Sequence, residues 1–323
     1  MILGSESLQP WHNLYPLPRK PVIEGPAVSA ESVLAGRDAR GIVDALPPPL
    51  LVLLSILSAQ LGAASAKFLL VSSSAASIVF LRTGFAAIVL WLMVRPQVRQ
   101  YTKRQWVHAL LLGLVTAAMN LSFYAAIARM PLGIVMTIAF LGPFTVSLLA
   151  SRRASEFVWP ILAFTGVVLL APIGAQKYLS IPGMAFAFSA AAGWAGYLVL
   201  TARTSAMFSG TTGLALAMTF GALATLPLGL AGSGKALLSL SFMAKGFAVS
   251  MLSTMIPFSL EFLVLKRMSP RTFGILVSAE PAVAALIGLV ILHEHLGVRE
   301  WVALVLVSVA ALGVTSQREG RRE

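Results

Sequence analysis

The strongest constraint on this chain is a succession of apolar runs, each long enough to cross a bilayer as a helix of about 20 residues. Only 11% of the residues are charged, whereas soluble domains carry about 25%. Too little polar surface remains to cover a water-soluble globule. Each run is also about twice the length of a membrane-barrel strand and lacks polar alternation. The sequence therefore predicts an all-α integral membrane protein.

Ten predicted spans follow one another with short connections. They cover residues 50–70, 75–94, 106–128, 131–150, 157–173, 182–202, 210–231, 243–265, 271–292 and 298–315. We assign residues 47–173 to a first five-helix repeat and residues 174–316 to a second. Residues 1–46 contain five prolines and no long apolar run, so we expect a flexible cytoplasmic tail there. Residues 317–323 form a short cytoplasmic C-terminal tail.

Basic residues are distributed unequally between the two sides that these spans define. Seventeen lie in segments on the side of the N-terminus and five on the opposite side, while Lys67 and Arg82 lie within spans. Loops rich in Lys and Arg stay in the cytoplasm, so both termini are predicted to be cytoplasmic. The same rule accounts for the formal net charge of +12, and we expect no nucleic-acid partner.

The two halves of the chain show a weak internal repeat. Arg129 and Arg267, each followed by Met, are 138 residues apart, as are Pro143 and Pro281. Both pairs occupy matching places relative to spans four and nine. Because five is an odd number, two five-helix halves enter the membrane in opposite senses, as in many secondary transporters. Chance matching between apolar helices is the alternative.

Four ionisable side chains lie inside predicted spans, where each costs about 2.5–3.5 kcal/mol on insertion scales when central. Arg82 is about two turns from the outer end of span two, and Glu280 is near the midpoint of span nine, which makes them the strongest site candidates. Lys67 and Glu261 each lie about a turn from a span end, where headgroups are within reach of the side chain.

Together these charges suit a zwitterionic solute such as an amino acid. Arg82 or Lys67 would hold the solute carboxylate by charge-assisted hydrogen bonds. Glu280 would meet the ammonium group or take up a proton. The alternative is a buried ion pair that only fixes helix packing, since such pairs often contribute little net stability.

Two pairs of amphipathic side chains share helix faces and are suited to lining a substrate path. Asn120 and Tyr124 are spaced i, i+4 in span three, and Trp194 and Tyr197 are spaced i, i+3 in span six. For Asn120, a hydrogen bond between helices is the alternative role. Small residues at 62–66 in span one favour close helix contact.

Prolines interrupt two spans near their middle. Pro143 and Pro281 each remove a backbone hydrogen bond, and Gly142 precedes the first of them. The carbonyls freed in this way serve either a gating element that binds a ligand or a kink that only adjusts packing.

The chain carries no signature of an enzyme or of a nucleotide-driven pump. Without cysteine it has no disulfide, thiolate metal site or cysteine nucleophile. His293 and His295 are spaced i, i+2, so they do not match the i, i+4 ligands of a zinc protease. Neither a Gly-x-Ser-x-Gly elbow nor a complete Gly-x-x-x-x-Gly-Lys-Ser/Thr phosphate loop is present. We expect a transporter with no cofactor, metal or ATPase subunit.

Six short segments together are similar to one known family, the EamA family of the drug/metabolite transporter superfamily. They are residues 118–124, 130–133, 140–143, 259–261, 270–274 and 279–281. Within that family the chain most resembles the threonine/homoserine exporter branch. Features shared with this branch also lie at residues 60–67, Arg82, 151–153 and Trp194. The resemblance covers residues 47–316.

The resemblance implies export of small amino acids or related metabolites across the bacterial cytoplasmic membrane, through two inverted five-helix repeats. Alternating access would move the solute, with Glu280 a candidate for proton coupling. The partners would be a small-molecule substrate and the lipid bilayer. One departure is Ala139, where the branch has an acidic residue before the Phe-x-Gly-Pro of span four. Glu280 therefore lacks its expected counterpart.

Other functions are compatible with the same spans. A single central carboxylate suffices for export of a drug-like cation, and a nucleotide metabolite is a further cargo for this fold. A membrane scaffold that recruits a partner through residues 1–45 and an intramembrane enzyme are alternatives from other classes.

Overall fold

A computed structural model describes the chain over residues 46–70, 73–129, 138–149, 154–170 and 180–277. It also describes single residues and short groups between 135 and 310, at 135, 279–280, 283, 297–299, 301–303, 305–306 and 309–310. Within these residues the chain forms helices and short connections without any strand. The prediction of an all-α fold is confirmed.

Nine helices are described, and they fall in the first nine predicted spans. They are α1 (Pro48–Leu70), α2 (Ala75–Val94), α3 (Lys103–Ile127), α4 (Leu141–Leu149), α5 (Ala154–Leu170), α6 (Ile181–Met207), α7 (Thr212–Ser233), α8 (Leu240–Val264) and α9 (Pro270–Val277). Five of the described helices, α2, α3, α6, α7 and α8, are long and apolar enough to cross a membrane. Half of the tenth predicted span, residues 298–315, lies outside the described residues.

Side-chain caps fix where several helices begin. Thr102 and Gln105 form a capping box at the start of α3, and Ser74, Ser180 and Ser239 each accept a backbone N–H at the starts of α2, α6 and α8. These oxygens satisfy donors that the first turn of a helix leaves without partners. Polar residues in the short connections therefore set the helix boundaries.

Contacts between connections define two ends of the bundle. At the end that contains Leu46, Arg267 Nη2 donates to Leu46 O at 3.1 Å, Lys266 Nζ donates to Gly210 O at 2.8 Å and Gln105 Nε2 donates to Met207 O at 2.9 Å. We call this the Leu46 end. Helices α1, α3 and α7 begin there, whereas α6 and α8 finish there.

The opposite end contains Ser74, which caps α2, and we call it the Ser74 end. Ser77 Oγ in the first turn of α2 donates to Gly229 O near the end of α7, at 3.2 Å. Arg129, just after α3, lies 5.0 Å from the ring of Phe186 in the second turn of α6. Helices α2 and α6 therefore begin at the end where α7 and α3 finish.

Helix packing repeats when each helix is exchanged for the one five places later. Helix α3 packs on α6, and α8 packs on α1 in the same way. Helix α3 also packs on α7, and α8 packs on α2 in the same way. The α2–α7 and α4–α9 contacts each join a helix to its own equivalent in the other half, so the exchange leaves them unchanged. Since α1, α2 and α3 each run opposite to their equivalents α6, α7 and α8, the predicted inverted repeat is confirmed for these helices.

Small residues let equivalent helix pairs approach closely. A Cβ at Gly62 of α1 would lie 2.6 Å from Ser253 Cβ of α8, and a Cβ at Gly193 of α6 would lie 2.8 Å from Met119 Cβ of α3. Neither side chain would fit without movement. Close backbone approach of this kind is a common way for membrane helices to associate, and the packing role predicted for residues 62–66 is confirmed at Gly62.

The α3–α7 contact gives a test of this packing away from the ionisable groups. A Cβ at Gly113 would lie 2.8 Å from Phe220 Cβ and 3.0 Å from Gly221 N. We expect Gly113→Ala to destabilise the protein by about 1–3 kcal/mol through overpacking, measured as a lower melting temperature in detergent. The matched control is Gly84→Ala, because a Cβ there meets nothing within 4 Å. Equal shifts for the two variants would contradict this packing.

Candidate functional site

The site is organised around an irregular turn in α8. Pro257 has no N–H, so Ser253 O lacks its usual helical donor. The chain forms a π-helical turn over Met251–Met255, in which the N–H of Ile256 bonds to Met251 O instead of Leu252 O. Two carbonyls inside the membrane span are thereby left without their α-helical partners. Such groups need donors from within the protein.

Side chains from α1 and α2 supply these donors. Ser58 Oγ donates to Leu252 O at 2.7 Å, and Arg82 Nη2 donates to Ser253 O at 2.7 Å. The guanidinium group of Arg82 therefore completes the backbone hydrogen bonding of α8. This role places Arg82 between helices and away from lipid.

Arg82 also joins α2 to α3. Its Nε donates to Thr254 Oγ1 at 2.9 Å, and its Nη1 donates to Tyr124 OH at 2.9 Å. Ser250 Oγ donates to Arg82 O at 2.7 Å. Every hydrogen bond of Arg82 within the described part of the chain is to a neutral group, so no buried ion pair of Arg82 is seen there. One N–H on each Nη is left over for a ligand.

Glu261 lies in the C-terminal half of α8 and accepts a hydrogen bond at each oxygen. Tyr197 OH of α6 donates to Oε2 at 2.7 Å, and Ser55 Oγ of α1 donates to Oε1 at 3.0 Å. The sequence placed this carboxylate within reach of the headgroups. In the structure it lies one turn before α8 ends, between three helices, because α1 and α6 both pack on α8 at this level.

Glu280 follows α9 and faces α1. Gln60 Nε2 donates to Glu280 Oε1 at 2.9 Å, and both side chains are partly accessible. Glu261 and Glu280 both bond to side chains of α1, the first to Ser55 and the second to Gln60. Ala139, which replaces the acidic residue expected in span four, is buried. The other carboxylate that bonds to α1 therefore comes from span eight.

The remaining candidate side chains have varied surroundings. Asn120 Nδ2 donates to Thr116 O of its own helix at 2.8 Å, so its described hydrogen bond does not join helices. The Trp194 ring lies edge-on to Phe140, with centroids 6.5 Å apart. Tyr197 is buried and packs on Phe258. Trp194 thus contacts the turn before α4, whereas Tyr197 contacts α8.

Lys67 and Pro281 were also predicted to serve the site. The side chain of Lys67 and the whole of Pro281 lie outside the described residues, so their roles stay predictions.

The helix of span four is interrupted at the predicted place. Phe140 is a turn residue between helical Ala139 and the start of α4 at Leu141. Pro143 therefore lies in the first turn of α4, where a missing N–H costs little.

Gly142 contacts the backbone of α6, and a Cβ on this residue would collide with the carbonyl oxygen of Ala191. Close α4–α6 packing is thus observed at this glycine. A gating role for the interruption stays a prediction.

Sequence reasoning missed three residues that shape the site. Ser55 and Ser58 are polar positions in one apolar span, and Pro257 lies inside another. The proline was the available signal, because a proline inside a membrane helix leaves a carbonyl that needs a donor.

Comparisons with known proteins identify the family of this chain. Residues 181–316 match EamA, the EamA-like transporter family. The chain is 36% identical over 269 residues to a Salmonella typhimurium (strain SL1344) protein named "Threonine/homoserine exporter RhtA", covering 83% of this chain and 91% of that protein. The chain belongs to the EamA-like transporter family. The protein of the same name from Escherichia coli (strain K12) shows the same identity and coverage, which places the chain in the threonine/homoserine exporter branch.

A solved structure, described only as "Crystal structure of protein", shares the fold. It matches with a TM-score of 0.66 and 21% identity, and the match covers 85% of this chain and 98% of that one. Most of the chain therefore follows a known arrangement of helices.

The link between Arg82 and Pro257 is testable by a double-mutant cycle. Arg82→Met removes the donor to Ser253 O, whereas Pro257→Ala supplies an N–H that can bond to the same carbonyl. We expect Arg82→Met to cost less in the Pro257→Ala background, with a coupling energy of about 1–2 kcal/mol. The measurement is the free energy of unfolding in denaturant for the parent, both single variants and the double variant.

The matched control for this cycle is Pro160→Ala, since Pro160 also lies inside a helix, α5. Its effect should add to that of Arg82→Met. Additive effects for Pro257→Ala as well would show that Arg82 does not compensate for the proline.

Proposed function

We propose that the protein is a secondary-active exporter of small amino acids, threonine- or homoserine-like, in the bacterial inner membrane. The 36% identity to proteins named threonine/homoserine exporters supports this cargo. The structural observation that carries the proposal is the Gln60–Glu280 pair, a carboxylate held by a neutral amide between helices. A charge of this kind is suited to a cationic group of a solute.

Glu280 binds the solute ammonium group in this proposal. Gln60 fixes Oε1, while Oε2 has no hydrogen-bond partner within the described part of the chain and is open to a ligand. An ammonium group donating to a carboxylate makes one of the stronger hydrogen bonds found in proteins.

Arg82 binds the solute carboxylate through its remaining Nη hydrogens. Gln60 is two residues before Gly62 in α1. Gly62 packs closely against Ser253 of α8, and Arg82 donates a hydrogen bond to the carbonyl of Ser253. The guanidinium group and Glu280 therefore lie at neighbouring levels of the bundle, since two residues rise about 3 Å along a helix.

Uptake into inverted membrane vesicles tests the cargo. We expect a pH gradient to drive uptake of labelled threonine or homoserine, and Glu280→Gln to reduce it by about tenfold or more, because a charge-assisted hydrogen bond is lost. Glu319→Gln, which removes a carboxylate from the C-terminal tail, should leave uptake unchanged. Uptake that needs no gradient would contradict proton coupling, and full activity of Glu280→Gln would contradict the binding site.

Export of a drug-like cation is the second candidate, and the two carboxylates that bond to α1, Glu261 and Glu280, favour it. Cells that express the protein should resist toxic threonine analogues more than cationic dyes. Resistance to dyes alone would replace the amino acid with a cation as the cargo.

The orientation of the bundle completes the proposal, with the Leu46 end in the cytoplasm. Because the chain has no cysteine, single cysteines report each end without background. We expect an impermeant maleimide to label Ser241→Cys in intact cells and Ser209→Cys only after permeabilisation, since both positions are exposed at opposite ends. The reverse pattern would invert the topology.

A further inference from the structure

Gln60 lies on the face of α1 that points away from α8. Ser55 and Ser58 donate hydrogen bonds to groups of α8, and Gly62 packs closely against Ser253 of the same helix. Residues 55, 58 and 62 share one helix face, because they are three and four positions apart. Gln60 is two positions from 58 and from 62, a rotation of about 200° around the helix axis. The contacts before and after Gln60 therefore hold its helix in place, while its amide meets the segment after α9.

The bond to Glu280 sets the orientation of the Gln60 amide. An ionised carboxylate only accepts hydrogen bonds, so the NH2 group and not the carbonyl of the amide faces it. Nε2 donates to Glu280 Oε1 at 2.9 Å, which uses one of its two hydrogens. Within the described part of the chain, the other hydrogen and the carbonyl oxygen of Gln60 have no hydrogen-bond partner. The amide thus keeps one donor and one acceptor for a ligand.

A hydroxyl group matches this pair, because it both donates and accepts a hydrogen bond. In the proposed function, Glu280 binds the ammonium group of the solute. The hydroxyl of threonine is on the carbon next to the one that carries the ammonium group, and that of homoserine is one carbon further. A solute bound to Glu280 through its ammonium group therefore brings its hydroxyl towards the amide that holds the same carboxylate.

We propose that Gln60 recognises the side-chain hydroxyl of the solute and so selects hydroxylated amino acids over apolar ones, an inference that rests on the proposed function. Valine has the shape of threonine with a methyl group in place of the hydroxyl, and norvaline relates to homoserine in the same way. A methyl group leaves the donor and the acceptor of the amide without a partner. Sites built for a hydroxyl reject such analogues for this reason.

Counterflow with purified protein in liposomes measures this selectivity. Labelled threonine enters liposomes loaded with unlabelled threonine, and added valine or threonine competes for the site. We expect the parent protein to bind threonine about tenfold more tightly than valine, because two modest hydrogen bonds are at stake. Homoserine and norvaline should show a preference of the same size.

Gln60→Met removes the amide and keeps a side chain of similar length. We expect the threonine-to-valine preference to fall to within about twofold of equality, because the hydroxyl loses both partners. Loss of the bond to Glu280 weakens both amino acids alike, so the ratio separates recognition of the hydroxyl from support of the carboxylate. Equal weakening of both with an unchanged ratio would overturn the proposal, as would a parent protein without preference.

Asn120→Leu is the matched control, since it removes an amide from α3 that donates to Thr116 O of its own helix. Whatever its effect on the transport rate, the threonine-to-valine ratio should stay that of the parent. A ratio lost in this variant and kept in Gln60→Met would assign the hydroxyl to α3 and overturn the proposal.

Gln60→Asn provides a second variant in case Gln60→Met does not fold. It keeps the amide and withdraws it by one carbon, so the preference for a hydroxyl should persist and shift from threonine towards the longer homoserine. Loss of the preference for both hydroxylated solutes, or an unchanged order of the two, would contradict recognition by this amide. Absence of threonine counterflow in the parent protein would instead refute the proposed function.

Discussion

The arrangement of this bundle depends on the hydrogen bonding of two backbone carbonyls in α8. In a bilayer such groups have no water to bind and need donors from the protein itself. Pro257 creates the need, and Arg82 and Ser58 meet it at Ser253 O and Leu252 O. Helices α1 and α2 are thereby held against α8. The same contacts fix the position of α1 along the bundle, and with it the positions at which Ser55 and Gln60 meet Glu261 and Glu280.

The helices were largely predictable, because hydrophobic length and polar connections are local properties of a sequence. Helix α2 has the predicted bounds of Ala75–Val94, and the two prolines 138 residues apart pointed to the inverted repeat. The partners within the site were not predictable in this way. Ser55 and Glu261 are 206 residues apart, and only the packing of α1 on α8 brings them together. The partners of Glu261 were not predictable because distance from a span end says nothing about neighbouring helices.

The charged groups of the site have mainly neutral partners among the described residues. Hydroxyls and an amide orient the carboxylates, while a carbonyl, a threonine and a tyrosine orient Arg82. Neutral donors fix the position of a charge without cancelling it. The charges therefore remain available to a ligand of opposite sign, which a closed internal ion pair would not allow.

The close contact of Gly142 with Ala191 has a consequence for the history of the fold. In the inverted repeat, Gly142 is equivalent to Glu280, by the same spacing of 138 residues that relates Pro143 to Pro281. Ala191 is equivalent to Gln60, by the same spacing that relates Gly193 to Gly62. One copy of a duplicated contact is thus sealed by small residues, whereas the other copy holds a polar pair. The two halves therefore differ at equivalent positions. A solute arriving from either face of the membrane meets different surroundings, so its apparent affinities from the two faces are free to differ.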